Sequence, residues 1–562
     1  MKTMPGGEAA VGGGAGGPGQ ALGPARSARG ALALRPGADI WHKPALSVVI
    51  TLAVPEVALL LAGRLDLAFY VTAGGLCALY AHGQPYAARA RTLAWVVLGM
   101  LLSTAVALTT AALTDSTAVR VVVAALLAAV HKTVCDATRI GPPANVIFTF
   151  VGASAAFLPQ RLADIPAHLA LGALGGAIAW LVCMAPALVR PHGPERIAVA
   201  RALEAAARLL RANGSRHDAA AAADAARRSL RMAGPGPHLT GLGLLLVSAE
   251  SAAAAPVAHR DRAERFREWA HDLRKGRSLP ETGPAHADEA PEPTGAHTGT
   301  EARAASGPRA ALRAFAPGSP LLPVAARVAL GGALAGWASM ALGVDRPYWA
   351  VVTATAVFAA NTTMSWHRGL QRALGNLLGV LLFTALVPLT STGRAALVAV
   401  ALACQFATEA TIARNYWLGS LFVTPMAMIM VQFAGAEPAR QLITDRWLDT
   451  CVGVAAGLLV CFLVPNRRAA GRVETALAHV DAAVTAPVPS RERLAVTLLE
   501  LREAADTAGG EWWSAALPQE RIAAAELRGH RTLAALTVPS APAATTAAAR
   551  VVARASSPGP AQ

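Results

Sequence analysis

Residues 321–363 read LLPVAARVALGGALAGWASMALGVDRPYWAVVTATAVFAANTT, and within them only Arg327, Asp345 and Arg346 are charged. A helix needs about 20 apolar residues to cross the hydrocarbon core of a bilayer. The stretch divides at 343–346 into two apolar runs, 321–342 and 347–363, that approach this length. Outward from it the pattern continues with runs at 370–390, 395–408, 415–433 and 447–465. A second block carries six more, at 45–62, 66–82, 92–113, 117–135, 142–158 and 166–189. The expected fold is therefore all-α, a polytopic membrane helix bundle of twelve spans.

Composition agrees. The 562 residues are 54% hydrophobic and only 15% charged, against about 25% charged in soluble domains. This excludes a secreted or ordinary soluble enzyme. The net charge of +15 would suit nucleic acid. Most arginines, however, flank apolar runs, where positive charge retains loops in the cytoplasm, so no nucleic-acid partner is expected. The cysteines Cys77, Cys135, Cys183, Cys404, Cys451 and Cys461 all fall in or beside apolar runs, without metal-ligand spacing. They read as reduced, buried, small apolar residues.

The chain divides into a Gly/Ala/Pro-rich disordered tail (1–44), a first six-span repeat (45–190), a helical cytoplasmic segment (191–276) and a flexible linker (277–320). A second six-span repeat (321–466), a second helical segment (467–536) and a disordered tail (537–562) follow. Arg196 to Arg211 reads as an amphipathic helix, with Val199, Leu203, Ala206, Leu209 and Leu210 on one side. Residues 238–256 look apolar, but His238, Ser248 and Glu250 argue against a span. Short loops carry balanced positive charge. The block flanks do not: Arg26, Arg29, Arg35, Lys43, Arg190, Arg196, Arg201, Arg309, Arg313, Arg467, Arg468 and Arg472 put both termini in the cytoplasm of an inner-membrane protein.

The blocks resemble each other at an offset of about 280. Phe69-Tyr70-Val71-Thr72 parallels Trp349-Ala350-Val351-Val352-Thr353, and Arg91 and Arg372 each lie the same distance further on. Asp164 and Asp445 open the last spans; Cys183/Pro186 and Cys461/Pro465 close them. A parallel duplication commonly places a site or pathway between the halves.

Arg346-Pro347-Tyr348-Trp349-Ala350 with Thr353, then Arg372-Ala373-Leu374-Gly375 with Gly379, then Asn415-Tyr416 and Thr424-Pro425, resembles the fusaric acid resistance (FUSC) family, also called aromatic acid exporters. The resemblance is to residues 320–466, and is architectural over 45–190. It implies an inner-membrane efflux protein for aromatic carboxylates or similar small organic anions, with kinship to plant aluminium-activated malate transporters and a possible homodimer.

Several residues could carry chemistry. Glu56, after Pro55 in span one, is a costly intramembrane carboxylate, either a proton-coupling or gating group or a structural Glu paired at a kink. Asp345 and Arg346 are either a surface ion pair with Tyr348 and Trp349 as interfacial anchors, or an anion attractor with stacking aromatics. Thr353 opens the same span. Arg372 and Arg91 either follow the charge rule or collect anions. Asn415 and Tyr416 could hydrogen-bond a carboxylate or anchor span eleven. Glu409 and Arg414 read as a local ion pair, and His131 and Lys132 as surface residues. The motifs of ATP-driven pumps, metallohydrolases, serine hydrolases and dinucleotide enzymes are absent, so no enzyme, cofactor or metal is expected. The leading function is transport of organic anions driven by proton motive force or membrane potential. A passive anion channel and a membrane-anchored scaffold with partner-binding helices are the alternatives.

Overall fold

A computed structural model describes residues 29–34, 37, 39–234, 236–254, 260–279, 308–319, 321–434, 438–464, 468–512 and 517–536. Residues 1–28 of the first tail, the whole of the second tail and most of the linker lie outside them. All regular elements among the described residues are helices, and none of these residues is in a strand.

The first block runs α1 (His42–Leu61), α2 (Ala68–Gly75), α3 (Tyr86–Leu113), α4 (Thr117–Thr138), α5 (Asn145–Ala155) and α6 (Ile165–Met184). A unit of α7 (Gly193–Leu210), α8 (Arg216–Ala233), α9 (Pro237–Ala254) and α10 (Arg260–Lys275) follows. After the short α11 (Pro308–Ala314), the second block runs α12 (Leu322–Ala341), α13 (Tyr348–Val357), α14 (Thr362–Thr390), α15 (Arg394–Ile412), α16 (Tyr416–Ala434) and α17 (Ala439–Leu463). Three helices close the described chain: α18 (Arg468–Thr485), α19 (Arg491–Gly509) and α20 (Gln519–Ala535).

Nine helices among the described residues are long and apolar enough to cross a membrane. The protein is a multi-pass membrane protein. The sequence reading of twelve full spans needs correction at 66–82, 142–158 and 347–363, where the helices are short: α2 with its flanking 3-10 turns (Leu65–Leu79), α5 and α13. Every residue of α2 and of α13 is buried. These segments are enclosed by protein, so they need no lipid-facing length, and their non-helical continuations find partners inside the bundle. After α2, the carbonyls of Ala81, His82 and Gln84 accept hydrogen bonds from the Arg89 guanidinium. After α13, the Ala359 amide donates to Ser365 Oγ at 3.0 Å.

Helix pairing repeats between the blocks. In each, the first helix packs on the second and sixth, the second on the sixth, the third on the fifth and sixth, and the fourth on the fifth. Contacts between blocks are reciprocal: α1 packs on α15 as α12 packs on α4, and α2 meets α16 as α13 meets α5. Each second helix runs parallel to its sixth. Tyr70 stacks on His168 at one level and the Cys183 thiol reaches the Ala78 carbonyl at the other. Correspondingly, Trp349 lies beside Arg446, and Gly457 beside Ala354 and Val357.

α7–α10 enclose a core around Leu203, Leu245, Phe266 and Leu273, with α9 inside it and Glu250 ion-paired to Arg227. α18–α20 enclose Val480, Leu494 and Leu501. The two units touch through α8 with α19 and α9 with α20. Both follow a sixth helix and therefore cap the same end of the bundle, termed here the capped end.

Five of the six cysteines are buried as expected, but Cys451 is exposed. His131 is a further correction: it is buried, with Nε2 2.9 Å from Ser103 Oγ and its ring against Phe148. The helix α4 presents it to α3 and α5 rather than to solvent. Lys132 pairs with Asp136 at 2.8 Å.

Candidate functional site

The polar side chains of the second block form a column through it, spaced by helix geometry. α17 carries Asp445, Arg446, Asp449, Thr450 and Gly453, which recur every three to four residues on its buried face. α14 contributes Arg372, Asn376 and Gly379 in the same way. α13 lies against both.

At the end opposite the cap, Asp345 accepts a hydrogen bond from Gln441, and Arg346 faces Asp445 at 3.8 Å. Next comes Arg446, only 1% exposed, with its guanidinium 4.0 Å above the Trp349 ring. Trp349 is stacked on Tyr348 at 4.9 Å, and Phe150 and Phe157 of the first block close around the pair. One turn further, Asp449 Oδ1 accepts from the Ser339 hydroxyl. Asn376 then links two hydroxyls: its Nδ2 donates to Thr450 Oγ1 at 3.2 Å and its Oδ1 accepts from Thr424 at 3.1 Å. Arg372 Nη1 donates to the Tyr416 hydroxyl at 2.9 Å, and Arg368 lies 4.0 Å over the Tyr416 ring. Gln371, Asn415 and Trp417 complete the column at the capped end.

Small residues let these helices approach. A Cβ on Gly453 would stand 2.7 Å from the Ala350 carbonyl and the Thr353 side chain, and one on Gly379 2.8 Å from the Leu421 carbonyl.

Hydrogen bonding is incomplete at four places. Arg446 Nε and Nη1, Arg372 Nε, Asp449 Oδ2 and Thr353 Oγ1 are buried without a partner among the described residues. Leaving a buried polar group unsatisfied costs about 1–3 kcal/mol, more when charged. Such groups gathered in one place mark where a ligand or water completes the bonding. With the three aspartates ionised, Arg346, Arg368, Arg372 and Arg446 against Asp345, Asp445 and Asp449 leave one positive charge over. A planar guanidinium suits a carboxylate because it can donate to both oxygens.

The expected site residues are thus partly brought together. Arg346, Tyr348, Trp349, Thr353, Arg372 and Tyr416 lie in the column, and Asp345 and Asn415 at its two ends. Tyr348 and Trp349 are 5% and 3% exposed, so they are core residues rather than interfacial anchors. Asp345 and Arg346 do not pair with each other; each bonds across to α17. Asn415 donates to the Ala31 and Ala33 carbonyls. No ion pair joins Glu409 to Arg414: Glu409 accepts from Gln405 instead. Arg91 is exposed where Arg372 is buried. Glu56 stands apart in α1, which packs on α2, α6 and α15. Its Oε1 accepts from Thr72 at 3.1 Å, and its Oε2 is buried without a partner among the described residues.

Sequence reasoning missed Ser339, Asn376, Arg446, Asp449 and Thr450. The run 447–465 began one residue after Arg446, whereas α17 begins two turns earlier, at Ala439. An Arg and an Asp three residues apart beside an apolar run, Arg446-Trp-Leu-Asp449, was the available signal.

Residues 334–460 match the family described as "Fusaric acid resistance protein-like". A relative, "Uncharacterized membrane protein YvaC" of Bacillus subtilis (strain 168), is 30% identical over 184 residues, covering 31% of this chain and 29% of that protein. No solved structure matches. Every column residue from Ser339 to Thr450 lies within the matched range, so the column falls in the part of the chain that is similar to that family.

Proposed function

We propose that this protein exports small organic monoanions, aromatic carboxylates foremost, through the column of the second block. The observation that carries the reading is Arg446. It is a buried arginine with two unsatisfied N–H groups, set against the Trp349–Tyr348 stack and one turn from Asp449. A carboxylate meets the guanidinium, a ring meets the aromatics, and the single excess positive charge favours a monoanion over a dianion. The half-length α13 supports it, since transporters place binding sites where a membrane helix is interrupted. The fusaric acid resistance match supports the substrate class.

The inner membrane is the proposed location, with the capped end in the cytoplasm as the arginine-rich flanks require. An inside-negative potential then drives an anion outward with about 2.3 kcal/mol per 100 mV. Glu56 is the candidate for additional proton coupling. A homodimer is the proposed assembly, by family analogy.

The test is efflux of preloaded radiolabelled aromatic acids from cells with and without the protein, repeated with Arg446→Gln, with Glu56→Gln and with the proton gradient collapsed. Efflux that needs Arg446 and follows voltage supports the reading. Loss with Glu56→Gln and with the collapsed gradient makes it a proton-coupled exporter. No expression-dependent efflux of any acid sinks transport and favours a scaffold.

A further inference from the structure

Residues 29–34 lie across the capped end of the column, where side chains of the second block bond to their backbone carbonyls. Asn415 Nδ2 donates to the Ala31 and Ala33 carbonyls at 2.8 and 2.9 Å, Trp417 Nε1 to Leu32 at 3.1 Å, and Gln371 Nε2 to Ala31 at 2.6 Å. Ala31 is 5% exposed. These donors are chain neighbours of Arg372 and Tyr416, a hydrogen-bonded pair near the capped end of the column. A few residues on, Asp39 is gripped by Arg201 of α7 and by Arg274 of α10 at 2.7 Å, and α1 begins just after. The segment is therefore pinned at both ends, to the second block by its carbonyls and to the four-helix unit by a carboxylate.

Three successive carbonyl oxygens take up N–H donors that are chain neighbours of Arg372 and Tyr416. A carboxylate arriving there offers the same acceptor chemistry. We propose that residues 29–34 are an autoinhibitory strap: their carbonyls occupy an outer carboxylate site made by Gln371, Asn415 and Trp417 beside Arg372, and an incoming anion displaces them. This rests on the anion-transport reading above. Because these hydrogen bonds go to the backbone, they do not depend on a particular side chain at Ala31, Leu32 or Ala33. The Asp39 pin keeps a released strap close, so that it returns when the anion concentration falls.

The test uses the full chain in proteoliposomes with benzoate as probe. In a Cys451→Ser background, Ala31→Cys reports docking through maleimide labelling. Labelling is expected to be slow without benzoate and about fivefold or more faster with it, the lower end of coupling between two sites. Removal of residues 2–34 is expected to raise initial flux at low benzoate by a similar factor. Asp39→Asn, which leaves the chain intact, is expected to move both readouts in the same direction by less. Labelling indifferent to benzoate, or equal flux with and without the strap, overturns the proposal. If benzoate crosses neither form, the transport reading fails and the labelling response alone decides whether an anion displaces the strap.

Discussion

The two six-helix blocks share a packing scheme and differ in what they bury. Both set a short, fully buried second helix parallel to the sixth, and each gives its first helix to the other's fourth. At the offset of Arg91 from Arg372, Ile165 stands where Arg446 stands, His168 where Asp449 stands, and Trp95 where Asn376 stands. Ile165 is apolar, His168 stacks on Tyr70 at 3.7 Å, and Trp95 is 57% exposed. The glycines persist: Gly172 and Gly176 hold the places of Gly453 and Gly457. Backbone approach is therefore common to both blocks, while a buried charged column belongs to one. The lesson is that helix packing and site chemistry are separable, because close approach needs only small residues and a site needs specific side chains.

The contrast can be broken most directly at Arg446. Arg446→Gln removes the guanidinium that meets the carboxylate, and a hydrogen bond to a charged group is worth about 1.5–3 kcal/mol, so transport is expected to fall about ten- to a hundredfold. Ile165→Ala at the matching place should leave initial flux close to that of the parent. Equal losses in the two variants would show that both blocks carry the path.

Asp449→Asn sharpens the charge argument. It raises the net charge of the column by one, so the preference for a monoanion should give way, with dicarboxylates gaining on benzoate by about tenfold, or 1.4 kcal/mol. Competition of unlabelled succinate against labelled benzoate measures this. An unchanged preference would detach selectivity from column charge.

Gly453→Val tests the shared packing. Its side chain would overlap the Ala350 carbonyl and Thr353, and overpacking costs about 1–3 kcal/mol. A lower thermal midpoint in detergent is expected, and Gly172→Val should lower it as well. A drop in only one block would mean that the two helix pairs are not equivalent.

The smallest effect concerns Asp39, outside the membrane. Burial raises its carboxyl, but the hydrogen bonds and charges of Arg201 and Arg274 outweigh this and hold it at about 2, below the usual 3.8. A carboxyl lowered on folding stabilises fully above its ordinary value and loses that contribution as pH falls through its folded value. Protection of Ala31→Cys should therefore stay flat from pH 8 to 5 and weaken only between about pH 4 and 2. Loss of protection near neutrality would mean that another group holds the strap.

Much of this was legible in the chain itself. Apolar length and arginine placement determined a polytopic helical membrane protein, because bilayer thickness imposes a minimum length that composition alone reveals. Arg346-Pro-Tyr-Trp and Arg372-x-x-Gly fall within the residues that match the fusaric acid resistance protein-like family. Arg346, Tyr348, Trp349, Arg372 and Tyr416 were singled out because charged and aromatic residues at the ends of apolar runs stand out against their surroundings, and all five lie in the column. Tertiary structure alone decided that α2, α5 and α13 are short, because burial by neighbours removes the length requirement, and a one-dimensional hydropathy reading cannot distinguish lipid from protein as the apolar surroundings. It alone moved Arg446 from a flank into the core, left Glu56 outside the column, and laid Ala31 to Ala33 over Asn415. Each of those placements depends on which face of one helix meets which face of another, many residues away along the chain.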